Sequence, residues 1–273
     1  MLLVEPGHTR RLRSPNEELT AARTILAAAG SIAAMEARIA GSDSEFGAWV
    51  ATPTGAGPWP GVVVIHDLFG MTDDVRNQCA WLAEAGYLAV APDLYSRGRK
   101  LSCIRQVFKD LANRTGAAFD DIDATRRWLI ERDDCSGSTG IIGYCMGGGF
   151  SLLLAPGHGF DASSVNYGQV PDDASTLLAG ACPTVGSFGG RDRSLKGAAN
   201  KLRVALDAND VDHDIKEYPS AGHAFINDHN GTPAVLMRIL GPLMGGGYNE
   251  AAARDAKARI QAFFDQHLTN PES

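Results

Sequence analysis

Apolar positions along the chain follow two alternating patterns. Gly61-Val-Val-Val-Ile65 is an unbroken β-branched run, the signature of a strand buried on both faces of a parallel sheet. Tyr87 to Ala91, Thr139 to Ile142, Ser164 to Tyr167, Pro183 to Phe188 and Asp214 to Tyr218 read as further strands. Between them, Val75 to Ala85, Ser102 to Arg114, Met146 to Leu154 and Gly197 to Asn209 read as helices. So does Ala118 to Arg132, with Phe119, Ile122, Thr125, Arg126 and Leu129 on one side. Asn249 to His267 is a strongly helical tail. Strands alternating with helices predict an α/β protein: a mainly parallel central sheet with helices on both faces.

The flanks are less regular. Asn16 to Ala29 predicts a helix, with Asn16 at its N-cap, Gly30 at its end, and Leu19, Ala22, Ile25, Leu26 and Ala29 on one face. Met35 to Ala40 and Phe46 to Thr52 flank the polar Gly41-Ser-Asp-Ser44 as the strands of a hairpin would. Gly241 to Gly247 is a flexible lead into the tail. With no internal repeat or linker, the chain divides into residues 1–34, an extension with one helix, and residues 35–273, a single domain.

Composition narrows the function. The 273 residues carry 25 Lys+Arg against 32 Asp+Glu, a net charge of −7, which argues against nucleic acid or an anionic membrane as partner. No apolar run approaches the roughly 18 residues of a membrane span. The five cysteines are odd in number and scattered, with no metal-ligand spacing, so a reduced, cytoplasmic setting without metal or organic cofactor is expected. Arg10-Arg11-Leu-Arg13 before an alanine-rich stretch has a faint export character, but Glu17, Glu18 and Arg23 interrupt it.

One cysteine stands in a motif. Gly143-Tyr-Cys145-Met-Gly147 follows a strand and opens a helix, the spacing of a nucleophile elbow. Two strands later comes Asp192, after Gly189-Gly190-Arg191, and one strand after that His223 in Gly222-His223-Ala. Nucleophile, acid, histidine is the chain order of α/β-hydrolases, whose ligands bind at the carboxyl ends of the strands. His223 would take the Cys145 proton and Asp192 would fix the histidine tautomer. The N–H groups of Met146 and of Leu68, in the loop after the Gly61 to Ile65 strand, are the candidate oxyanion hole. His66 is a rival base; His213 and His229 read as surface residues, and Cys79, Cys103, Cys135 and Cys182 as ordinary thiols.

The motifs Pro60-Gly61-Val-Val-Val-Ile-His-Asp-Leu-Phe-Gly70, Ala91-Pro92-Asp93-Leu94-Tyr95, Gly143-Tyr-Cys-Met-Gly-Gly148 and Gly222-His223-Ala-Phe225 resemble those of the dienelactone hydrolase family of α/β-hydrolases. The resemblance runs from about Ile39 to Ile226 and returns in the last helix. It implies the α/β-hydrolase fold and the same Cys145, Asp192 and His223 roles. It also implies a carboxylate that pairs with the resting thiol; here Asp67 stands where the family has glutamate. Family members that cleave lactones hold the substrate carboxylate with arginines, and Asn227 occupies one such place. Tyr95, Arg97, Arg105, Tyr144, Phe225 and Asn227 are the candidate pocket residues.

The expectation is therefore a hydrolase of a small ester or lactone, working through a Cys-Asp-His triad and an acyl-thioester, as a monomer or homodimer. The alternatives are a non-catalytic binding module of the same fold, or an acyltransferase or peptidase on the same triad. Asn227 and Asp67 are the two places where the chain departs from the family's pattern.

Overall fold

A computed structural model describes residues 25–26, 32–228 and 245–269. Its central element is β4 (Trp59–Ile65), whose alternate side chains divide between two cores. Val62 and Val64 face one way, onto Val75, Cys79 and Leu82 of α1 (Asp73–Glu84) and Ile260 and Phe264 of α7 (Glu250–Phe264). Val63 and Ile65 face the other, onto Phe119, Ile122 and Leu129 of α3 (Ala117–Ile130). The period-two split is what an unbroken β-branched run does when helices cover both faces.

The nine described strands form one sheet. β2 (Ile32–Ala40) and β3 (Glu45–Pro53) are the expected hairpin, and β3 lies antiparallel to β5 (Leu88–Pro92). From β5 onward the sheet is parallel: β5, β4, β6 (Cys135–Tyr144), β7 (Ala162–Asn166), β8 (Thr184–Gly189) and β9 (His213–Tyr218). The mainly parallel sheet covered on both faces is thus observed. The chain goes from β4 to one neighbour, β5, and returns to the other, β6. That reversal opens a crevice at the carboxyl ends of β4 and β6, where Ile65 pairs with Gly143.

Among the described residues the other α-helices are α2 (Lys100–Asn113), α4 (Met146–Leu153), the short α5 (Ala174–Leu177), which the residue pattern does not predict, and α6 (Ala198–Asp207). α7 is capped by the Asn249 side chain accepting from Ala252 N–H at 3.1 Å.

One expectation is corrected at the sheet edge. The predicted helix over Asn16 to Ala29 lies outside the described residues except at Ile25–Leu26, and these form β1, antiparallel to β2. The open edge of β2 offers unpaired backbone groups that favour an added strand over a lone helical turn. Of the Gly241 to Gly247 lead only residues 245–247 are described, and His229 also lies outside. Among the described residues no helix is long and apolar enough to cross a membrane.

Candidate active site

Cys145 sits between β6 and α4 with φ 56° and ψ −113°, a left-handed conformation that a side chain other than glycine adopts at a cost of about 1–3 kcal/mol. The flanking glycines explain how the turn closes. A Cβ on Gly143 would run into the Gly147 carbonyl, and one on Gly147 into the Ile65 carbonyl of the neighbouring strand. Cys145 N–H donates to the Asn166 carbonyl at the end of β7 (3.0 Å), and its carbonyl takes Gly149 N–H (3.2 Å). The half-buried thiol therefore stands at the first turn of α4, whose leading N–H groups, Met146 among them, have no acceptor within the helix. By contrast, burial pushes the Cys79 and Cys135 thiols up and takes Cys182 to about 12, which keeps those three protonated.

Asp192 and His223 arrive from β8 and β9. Asp192 is buried, with its two oxygens assigned separately: Oδ1 accepts from Ser194 N–H (2.9 Å) and Ser194 Oγ–H (2.5 Å), and Oδ2 accepts from His223 Nδ1 (2.6 Å). A carboxylate has no proton to give, so Nδ1 carries the hydrogen and the other ring nitrogen is left for Cys145. The Cys145 side chain acts on the same imidazole and favours its charged form. Burial opposes the charged imidazole, yet the Asp192 hydrogen bond and the Cys145 sulfur outweigh it and raise the His223 pKa to about 10. Burial likewise pushes Asp192 upward, and the hydrogen bonds from His223 and Ser194 overcome it and hold its carboxyl below the usual range.

The loop after β4 forms the opposite wall. Asp67 is buried, and its Oδ1 accepts Phe69 N–H at 2.8 Å. Tyr95 bridges this loop to the elbow: its hydroxyl donates to the Leu68 carbonyl (3.2 Å) and lies 3.7 Å from Met146 Sδ. Burial, then the nearby charges of Asp67 and Cys145, push the Tyr95 phenol well up, so it remains a donor. Leu68 and Met146, the two expected oxyanion residues, are thus brought together around one hydroxyl.

The other pocket candidates are placed elsewhere. Arg97 is paired through Nε and Nη2 with buried Asp121 (Nε to Oδ2 2.8 Å) and stacks over Phe46. Arg105 is on the exposed face of α2. Tyr144 is buried with its hydroxyl donating to Gln78 Oε1 (3.2 Å), and Phe225 is buried against Tyr167 and Tyr218. Asn227 is buried too: its Nδ2 donates to Asp74, its Oδ1 accepts the Tyr167 hydroxyl, and its backbone N–H closes a turn onto the Ala224 carbonyl (3.0 Å). These three are internal struts rather than a pocket lining, because strand alternation and the histidine loop turn them inward.

His66 cannot serve as the rival base. It is fully buried and both ring nitrogens are engaged, Nδ1 with the Asp67 carbonyl (2.7 Å) and Nε2 with Leu94 N–H (3.2 Å). Residue reading missed Ser194, Asp74, Tyr167 and Lys100. Ser194, two positions past Asp192, carries a usable signal, since an Asp-x-Ser turn bonds its own backbone. Lys100 places Nζ 3.1 Å from the Phe69 carbonyl; nothing local in the sequence announces it.

The strand order, the elbow at the switch point and an acid–histidine pair from β8 and β9 define an α/β-hydrolase fold. The dienelactone hydrolase family model matches residues 46–268, and the chain belongs to that family of hydrolases. It is 28% identical over 249 residues to a Yersinia pestis protein named "Putative carboxymethylenebutenolidase", covering 85% of this chain and 88% of that one. A protein of the same name from Methylorubrum extorquens is 27% identical over 268 residues, covering 92% and 87%. Among solved structures, one titled "Putative Dienelactone Hydrolase" from Klebsiella pneumoniae superposes with a TM-score of 0.72 at 28% identity, covering 87% of this chain and all of that one.

Proposed function

We propose that the chain hydrolyses small esters or lactones with Cys145 as nucleophile, His223 as proton carrier and Asp192 as the group that orients it. His223, whose basicity Asp192 raises, takes the Cys145 proton and leaves a thiolate. Sulfur attacks the acyl carbon, the carbonyl π bond breaks, and the negative oxygen is held by the Leu68 and Met146 N–H groups. Collapse breaks the carbon–oxygen bond, and the leaving alkoxide takes the proton from His223. The resulting thioester is opened by water, which gives a proton to His223 as it attacks. Expulsion of the thiolate then restores the pair and releases the acid.

The observation that supports this reading most is the Asp192–His223 hydrogen bond at 2.6 Å, on an imidazole whose charged form the Cys145 side chain also favours. In the test, Cys145→Ala loses turnover of a p-nitrophenyl short-chain ester, and iodoacetamide labels Cys145 ahead of the other four cysteines. Wild-type turnover in Cys145→Ala refutes it.

A further inference from the structure

His66 has no part in that cycle, yet it is fully buried at the end of the central strand and both its nitrogens are bonded. Leu94 N–H can only donate, so Nε2 is the bare nitrogen and Nδ1 carries the hydrogen that the Asp67 carbonyl accepts at 2.7 Å. Gly70 N–H reaches the same carbonyl at 3.2 Å. The Asp67 carbonyl and the Leu68 N–H belong to one peptide unit, planar and trans, and therefore point in opposite directions. Fixing the carbonyl on the His66 side turns the Leu68 N–H away from His66. The elbow packs directly on this segment: a Cβ at Gly147 would lie 2.8 Å from the His66 carbonyl, and Tyr95 hydroxyl touches both Leu68 and Met146.

We propose that His66 is a positioning residue for the oxyanion hole, locking the Asp67–Leu68 peptide so that Leu68 N–H faces the oxygen of an acyl group bound at Cys145. The ring acts as a neutral Nδ1–H tautomer held between two backbone groups from adjacent strand ends. Burial is the chief force holding it neutral, with the Lys100 charge adding to it and the Asp67 hydrogen bond and Asp93 charge opposing. Its T-shaped contact with the Tyr95 ring (centroids 4.7 Å apart) fixes the ring plane.

The proposal rests on Cys145 as nucleophile and is tested apart from it. Alkylation of Cys145 by iodoacetamide needs the thiolate but no oxyanion hole, whereas ester turnover needs both. His66→Phe keeps a ring and removes both hydrogen bonds. It is expected to lower kcat about 30-fold, below the 10²–10³ seen when an oxyanion donor is deleted outright, since Leu68 N–H is misdirected rather than lost. KM and the Cys145 alkylation rate stay within about twofold. His66→Asn, which returns a donor near the Nδ1 position, recovers most of the rate. Wild-type kcat in His66→Phe overturns the proposal, as does an equal loss of alkylation and turnover. Should His66→Phe fail to fold, ¹⁵N NMR of the wild-type ring decides: the Nδ1–H tautomer supports the proposal, and the Nε2–H tautomer or an imidazolium at neutral pH overturns it. Failure of the underlying reading looks different, with Cys145→Ala still active.

Discussion

Asn227→Leu isolates what the buried Asp74–Asn227–Tyr167 chain contributes. Leucine fills nearly the same volume, so no cavity opens, and the change removes only polar partners. Asp74 loses the Asn227 Nδ2 donor but keeps Asp228 N–H (2.9 Å) and Gln78 Nε2 (3.4 Å); the Tyr167 hydroxyl loses its acceptor and stays buried. A hydrogen bond to a charged group is worth about 1.5–3 kcal/mol and an orphaned buried hydroxyl costs about 1–3 kcal/mol, so the loss should be about 3–5 kcal/mol. Against a total stability of about 5–15 kcal/mol, this leaves a folded but weakened protein, with Tm lower by roughly 10 °C. Urea unfolding followed by fluorescence and circular dichroism should show a lower midpoint with an unchanged m value. Tyr167→Phe, which deletes the hydroxyl alone, should cost about 1 kcal/mol, and the double variant should be less damaged than the sum by about 1 kcal/mol or more. A loss below about 1 kcal/mol in Asn227→Leu, or strict additivity with Tyr167→Phe, refutes the reasoning.

Asp192→Asn removes the carboxylate that offsets burial at His223 and leaves only the Cys145 side chain to do so, so the imidazole pKa should fall below its wild-type value of about 10, read by NMR titration of the ring. Turnover should drop about 10³–10⁴-fold, as expected when the orienting acid is lost. Because the folded pKa lies above the unfolded value, the stabilisation from the protonated imidazole is complete below pH 6.5 and is lost as pH rises through about 10. The unfolding free energy of Asp192→Asn should therefore vary less across that window than that of the wild type. Arg97→Ala strands the buried Asp121 carboxylate, which burial already pushes upward, and should cost about 3 kcal/mol in urea unfolding while KM for an ester stays within about twofold.

What was legible in the residues is what short-range geometry dictates. Gly143 and Gly147 announce the elbow because any side chain there would collide with backbone, and the β-branched run of β4 announces a strand buried on two faces. What was not legible depends on partners far along the chain. Asn227 meets Asp74 across 153 positions and Tyr167 across 60, and His66 meets Leu94 across 28, so no local pattern separates a pocket residue from a strut. Arg97 has the same ambiguity: a basic residue past a strand end becomes half of an internal ion pair only once α3 brings Asp121 to it. Ile25–Leu26 went to a strand because the edge of β2, rather than helical spacing, supplied their hydrogen-bond partners.

Backbone strain ties these observations together. Among the described residues five other than glycine have left-handed φ, and two have ordinary roles: Arg114 caps α2 and Asp210 turns the chain after α6. The other three are Cys145 (φ 56°), Tyr167 (φ 41°) and Ala224 (φ 58°), the residue that follows His223. Glycine would relieve each of them, so something else must hold the conformation. Cys145 N–H is fixed on the Asn166 carbonyl, Tyr167 N–H on the Ser187 carbonyl, and the Ala224 carbonyl on Asn227 N–H. Asn227 then joins the last two, since its side chain takes the Tyr167 hydroxyl while its backbone closes the turn that contains Ala224. The Tyr167 ring lies 5.2 Å from the His223 ring, centroid to centroid, so the strained strand end and the strained histidine loop support one another. An arginine at position 227 could reach outward to a substrate anion, but it could not accept the Tyr167 hydroxyl. In this chain Asn227 instead ties the strand end at Tyr167 to the turn that holds Ala224, next to His223.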